Sequence, residues 1–275
     1  MRVNRRKWFS ESRAKIKVSK GWGVASYPRN AQEFVPRDPK LMQKIGLKKG
    51  ERIIFFAGCY GDWAAALSKS CEVKYTDVSD EMLRAAKAKN PNAAKSFRVA
   101  AAETVPQRMK VFDWSFSFEP YPLSMHRGIN LSLMRSLLNR KGLLMVFSPM
   151  VDARNEIRAF FERRTRKIAE LYGAGFEKKS VVVHGEGKKG FENRKSYVFV
   201  MRTNNVAREK VRTDLKVLKL LEREETLTRK ELSERVGVSL KDINESIRRI
   251  GSIGRLHGVT HYIRRKKKTS CSEIV

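Results

Sequence analysis

The sequence predicts an α/β fold: a doubly wound, mostly parallel sheet of seven strands, preceded by a basic arm and followed by a small helical module. Three observations carry this. Between about residues 47 and 202, short apolar runs alternate with stretches of helical period, the pattern of strands crossed over by helices. The first apolar run leads into Ala57-Gly58-Cys59-Tyr60-Gly61-Asp62, and the second ends at Asp77. A glycine turn after one strand and an acid after the next suit a crevice for a nucleotide-type ligand. After Asn204-Asn205 the texture changes and helical patterning takes over.

Taken in order, Arg52–Phe56 is an apolar run, as expected of a strand buried on both faces. Trp63–Ser70 reads as a helix and Glu72–Thr76 as the second strand. Ser79 or Asp80 can cap a helix over Glu81–Asn90, with Pro91 just beyond it. Ser96–Ala100 is a short third strand and Trp114–Phe118 a fourth. Leu131–Leu138 is the patterned part of the next helix, closed by Lys141-Gly142, and Leu143–Phe147 is the fifth strand. A long helix over Asn155–Tyr172 carries Arg158, Arg163, Arg164, Arg166 and Lys167. Lys179–Val183 and Ser196–Met201 close the sheet as a hairpin, joined by the Gly- and Lys-rich loop HGEGKKGFENRK. A hairpin at the end of a doubly wound sheet adds an antiparallel edge.

Val211–Ile250 is helical in pattern, with a turn at Gly237 and Ser239 as cap of the helix that follows. This is helix-turn-helix spacing. The stretch RLHGVTHYIRRKKK reads as a β-hairpin ending in a basic run, and the two together make a winged-helix module. Such modules usually read DNA with the second helix, but they also bind RNA or protein. Acids beside the basics at 239–245 leave groove reading open. The expected units are thus an arm over 1–46, a sheet domain over 47–204 and a winged helix with a basic tail over 205–275.

The chain carries 59 Lys+Arg against 29 Asp+Glu, a formal net charge of +30. An enzyme for a neutral metabolite has no need of this charge; a polyanionic partner accounts for it, because clustered cations displace counterions from phosphates. Charge density is highest over residues 1–50, at +11. There Trp8, Phe9, Trp22, Tyr27 and Phe34 are interleaved with the basic residues. Rings among cations suit single-stranded or looped nucleic acid; rings that pin the arm to the main domain are the other reading. No apolar run approaches the ~20 residues a spanning helix needs, and the N-terminus lacks the apolar core of a signal peptide. The three cysteines and four histidines form no ligand pattern, so neither a zinc site nor a disulfide framework is expected, which suits a cytoplasmic protein. The scarcity of Gln, three in all, leans towards a thermophilic source.

From about Leu47 to Arg202 the chain resembles class I S-adenosylmethionine-dependent methyltransferases, of the RNA-modifying type with a Rossmann-like sheet. Ala57, Gly58, Cys59, Gly61 and Asp62 stand at the family's glycine-rich loop. Asp77 stands where the family's acid takes both ribose hydroxyls, and Val78, Ser79 and the run Asp80-Glu81-Met82-Leu83 continue the match. Ala102 and Glu103, within Ala101–Pro106, match the loop that flanks the adenine, and Lys141–Met145 matches the turn into the fifth strand. The resemblance implies S-adenosylmethionine as cofactor, held by these residues with Val78, Met82 and Ser117. It has departures: Phe56 replaces an acid two residues before the first glycine, Tyr60 replaces the middle glycine, and Ala101 replaces an aspartate. The methionine ammonium must then be met by Asp62, Glu119 or backbone carbonyls.

In this family catalysis follows the fourth strand, here Phe116-Ser117-Phe118-Glu119-Pro120-Tyr121-Pro122. Phe118–Tyr121 echoes the motif of enzymes that methylate exocyclic base amines. A planar amine needs a polar acceptor to orient its lone pair, and a ring to stack on the extruded base. Glu119 and Tyr121 are the candidates for those roles, with Phe118 as a second wall and Pro120 between them; a turn that only shapes the cofactor pocket is the other reading. No cysteine stands in the setting a C5 mechanism requires. The resemblance and the charge together imply an RNA methyltransferase acting on a base nitrogen such as cytidine N4 in rRNA or tRNA, with no metal and no membrane partner. A DNA methyltransferase, and a non-enzymatic regulator whose sheet domain senses a small molecule, are the alternatives.

Overall fold

The computed structural model describes residues 34–36, 40–56, 61–77, 80–89, 91, 97–99, 112–118, 129–147, 155–185, 194–223 and 227–256. The strands are β1 (Phe34–Pro36), β2 (Arg52–Phe56), β3 (Glu72–Asp77), β4 (Phe97–Val99), β5 (Trp114–Phe118), β6 (Gly142–Phe147), β7 (Gly175–Gly185) and β8 (Arg194–Arg202). The helices are α1 (Leu41–Ile45), α2 (Asp62–Ser68), α3 (Asp80–Lys89), α4 (Ile129–Ser136), α5 (Asn155–Tyr172), α6 (Asn205–Arg223), α7 (Arg229–Val236) and α8 (Leu240–Leu256).

One sheet holds all eight strands in the order β1-β7-β8-β6-β5-β2-β3-β4. The five from β4 to β6 run parallel. β8 returns antiparallel to β6, and β7 pairs antiparallel with β8. The seven strands expected from the sequence are all present, and an eighth, β1, corrects the count. It lies antiparallel along β7, with Phe34 opposite Gly185. Three residues ending in a proline show no alternation; only pairing with a distant strand makes them a strand.

Alternation along the strands divides the core in two. Ile53, Phe55, Val73, Tyr75, Trp114 and Phe116 face α1, α2 and α3, where Ile45, Trp63, Leu67 and Leu83 meet them. Two elements of the stretch expected as an arm, β1 and α1, thus build the sheet unit. Ile54, Phe56, Leu143, Met145, Phe147 and Phe199 face α4 and α5 through Leu133, Phe161 and Ile168. Each fully buried large side chain of this kind stabilises by about 1.5–3 kcal/mol. Gly142 lets β6 start hard against β8: its φ is 133°, and a Cβ there would lie 1.8 Å from the carbonyl oxygen of Met201.

The second core does not end where the sheet ends. Ala207 and Val211 of α6 and Ile253 of α8 belong to it. A small third core gathers Val217, Leu232, Val236, Ile243 and Ile250 from α6, α7 and α8. Thr228 and Glu231 form a reciprocal capping box on α7, and Gly237 makes the turn. The Ser239 hydroxyl accepts the Asp242 amide at 3.1 Å, the cap expected for α8. The helix-turn-helix is therefore present and packs directly on the sheet's helix layer. The hairpin expected after it, and the loop between β7 and β8 at 186–193, lie outside the described residues.

Candidate active site

The strand order reverses at β2, whose neighbours are β3 on one side and β5 on the other. In an open α/β sheet the crevice at such a switch point, beyond the carboxyl ends of the strands, is where ligands bind. Register defines this upper edge. Phe56 pairs with Thr76, and Phe55 with Phe116. Phe56, Thr76 and Ser117 therefore share one level across three strands, with Asp77 and Phe118 one residue higher.

Gly61 enters α2 in the left-handed region, at φ 77° and ψ 11°. Without a Cβ it turns the chain sharply above β2 and lets a ligand approach the backbone. Asp62 opens α2. The Thr76 hydroxyl donates to the carbonyl of Phe55 at 2.7 Å, tying the ends of β2 and β3 together. Ser117 is fully buried, and its Oγ has no hydrogen-bond partner among the described residues. A buried hydroxyl with open bonding capacity at a switch point is an observation that fits a polar cofactor. Two residues earlier, the buried Ser115 hydroxyl is met by the Asn139 amide at 2.6 Å.

The structure thus brings Gly61, Asp62, Asp77, Ser117 and Phe118 to one edge. Met82 lies in α3. Of the other residues singled out, Ala57, Gly58, Cys59, Tyr60, Val78, Ala102, Glu103, Glu119, Pro120 and Tyr121 lie outside the described residues, as do the arm's Trp8, Phe9, Trp22 and Tyr27. Cys71 is at the far edge, where it donates to the carbonyl of Lys48 at 3.6 Å. Burial, and then the charge of Glu51, push its thiol up to about 11, so it serves as no nucleophile at neutral pH.

The lower edge is densely bonded. Glu51 accepts from the indole of Trp114 at 2.9 Å, from the Lys48 amide at 3.0 Å and from the ammonium of Lys141. Thr203 donates to the carbonyl of Leu137 at 2.6 Å, and Arg208 to that of Arg140 at 2.9 Å. Asn204 donates to the carbonyl of Gly173 at 2.7 Å and accepts the amide of Ala207 at 2.8 Å, starting α6 at this edge. Beside it, Arg249 of α8 makes two hydrogen bonds to Asp214 of α6, at 3.0 and 2.7 Å. Tyr172, the last residue of α5, donates to the same carboxylate at 2.7 Å. The Asp214 side chain is 0% exposed and that of Arg249 10%.

This buried lock was missed in the sequence. A signal existed: Ala207, Val211, Asp214 and Val217 follow helical spacing, so Asp214 is an acid set in an apolar stripe. Among the described residues, no helix is long and apolar enough to cross a membrane, and no cluster of three His, Cys, Asp or Glu could hold a metal ion.

The sequence model of the ubiE/COQ5 methyltransferase family matches residues 32–119, from β1 through β5. That of winged helix-turn-helix DNA-binding domains matches residues 211–249. No curated protein matches the chain. Among solved structures, protein 1320 of Thermoplasma acidophilum is 13% identical with a TM-score of 0.42, over 60% of this chain and 82% of that one. TrmN from Thermus thermophilus is 15% identical with a TM-score of 0.41, over 60% of this chain and 47% of that one, so the match spans about half its length. Magnesium protoporphyrin IX methyltransferase from Synechocystis, with bound SAH, is 13% identical with a TM-score of 0.40, over 57% of this chain and 75% of that one. Likenesses of this size decide nothing about what the chain acts on.

Proposed function

We propose that this chain, a class I S-adenosylmethionine-dependent methyltransferase with a winged helix-turn-helix module, methylates RNA on a base nitrogen. An exocyclic amine such as cytidine N4, in ribosomal or transfer RNA, is the target class. One observation carries the reading: the helix-turn-helix shares its core with the methyltransferase layer in a chain of formal net charge +30. A polyanion held by one unit is then held against the other, and an enzyme for a neutral metabolite has use for neither feature.

The cofactor supplies an electrophilic methyl group on sulfur. The chain's own part is positioning. Asp77, with the turn through Gly61 and Asp62, holds the cofactor, and Ser117 offers it a buried hydroxyl. Glu119, just past the end of β5, accepts a hydrogen bond from the target amine and aims its lone pair. Tyr121 and Phe118 stack on the base, and Pro120 stiffens the turn between them.

Mass spectrometry of RNA nucleosides from cells with and without the gene tests the function, and the missing mark identifies the atom. Asp77→Ala weakens cofactor binding in a calorimetric titration. Glu119→Ala keeps cofactor binding and loses about 10²-fold or more in turnover; retained turnover removes Glu119 from the chemistry. A DNA target is the second reading, favoured by the description of the family matched at residues 211–249. Methyl transfer to DNA and not to RNA decides for that second reading.

A further inference from the structure

The helix-turn-helix sits at the end of the sheet opposite the crevice proposed for the reacting base. The cofactor crevice lies beyond the carboxyl ends of β2, β3 and β5. α6 begins at the opposite edge, where Thr203, Asn204 and Arg208 bond to residues that precede β6 and β7. The Tyr172–Asp214–Arg249 lock fixes the module there, at the end of α5. The six residues of β6 alone separate the edges by about 17 Å at the usual strand rise.

We infer that the RNA is engaged at two points, one at the crevice and one at the helix-turn-helix, so that the substrate is a folded RNA long enough to span the sheet and not a nucleotide or short strand. The inference rests on the RNA reading of the preceding section and adds the size and shape of its substrate.

Two cationic patches support it. α5 has 18 residues, about 27 Å of helix. It descends from the crevice side, where Phe161 packs on Phe147 at the upper end of β6, to Tyr172 at the lower edge. Its outward side carries the exposed Arg163, Arg166 and Lys167 within about one turn near its middle. Arg166 pairs with Glu162 and Lys167 with Glu170, but such exposed pairs are worth little and yield readily to phosphate. On α6, Lys216 and Lys219 are exposed and turned away from the buried Val211, Asp214 and Val217. A fixed module with outward cations, and a basic turn midway along the helix between it and the crevice, suit a rigid polyanion that reaches both. A flexible short strand gains nothing from the distant site.

The test uses the full chain and two unmethylated RNAs: the folded RNA that receives the mark, and a short strand carrying only the sequence around the target base. The folded RNA is expected to exceed the short one in kcat/KM by about tenfold or more, mostly through KM. In Lys216→Gln/Lys219→Gln the slope of log affinity against log salt for the folded RNA falls by about one per lysine, and its advantage over the short strand shrinks. Arg163→Gln and Lys216→Gln singly repeat the measurement if a multiple variant is poorly folded. Equal kcat/KM for both RNAs, or unchanged salt slopes, overturns two-point engagement while leaving RNA methylation intact. Failure of any RNA to take the methyl group, with the cofactor still bound, sinks the RNA reading itself and this inference with it.

Discussion

Ser115 and Ser117 stand two residues apart on one face of β5, and both are fully buried. Asn139 donates to the first; among the described residues nothing meets the second. The contrast holds for the two edges to which they belong. At the lower edge the buried carboxylates are paired: Glu51 by three donors, Asp214 by Tyr172 and Arg249. At the upper edge, bonding capacity is left open above a glycine turn. Satisfied polar networks specify a structure, whereas open capacity at a switch point serves a ligand. The helix-turn-helix is fixed at one edge, and the proposed cofactor site lies at the other. The two should therefore respond differently to substitution.

The largest effect is expected at the lock. Arg249→Ala leaves Asp214 buried with only a neutral tyrosine for company. Breaking a buried ion pair on one side costs about 3–5 kcal/mol, which urea unfolding will show. Affinity for S-adenosylmethionine should stay within about twofold, because distant sites act independently; a larger loss means that the edges are coupled. pH reads the same lock. Burial, and then the charge of Asp214, raise the pKa of Tyr172 well above the ordinary tyrosine value. The folded chain thus keeps this proton after the unfolded chain has lost it, near pH 10. The stability it contributes is fully present below about pH 10 and falls as pH rises beyond, and Tyr172→Phe removes that slope.

A smaller loss is expected at Glu51. Glu51→Ala strands the indole N–H of Trp114 and the amide of Lys48, both in the lower edge. Buried donors left without partners cost about 1–3 kcal/mol, read as a lower denaturation midpoint with cofactor affinity again unchanged.

The same contrast explains how much the sequence disclosed. Strands β2 and β5 and helix α5 have the bounds read from the sequence, because runs of apolar residues and helical spacing are local signals. Gly61 and Asp77 came from local spacing as well. The lower edge did not, since its bonds join residues far apart in the chain: 42 positions from Tyr172 to Asp214, 63 from Glu51 to Trp114. Arg249 belongs to no motif read from the sequence, and it is a buried strut. For the same reason the winged helix read as a separate unit after residue 204, though Ala207, Val211 and Ile253 lie in the core beneath the sheet. β1 escaped because a three-residue strand exists only through its partner, β7.

The smallest effect has the opposite sign and tests the upper edge most directly. Ser117→Ala removes a buried hydroxyl that no described residue satisfies. Burying such a group costs free energy, so its loss should leave the chain as stable as before or more stable by up to about 1 kcal/mol. If the hydroxyl instead bonds the cofactor, the same variant binds S-adenosylmethionine about five- to tenfold more weakly, the equivalent of one ordinary hydrogen bond. Thermal melting without ligand and calorimetric titration with it separate the two effects. Greater stability together with weaker binding marks Ser117 as a residue kept for the ligand at the expense of the fold. Unchanged binding removes Ser117 from the cofactor site and leaves that site to Asp77 and the glycine turn.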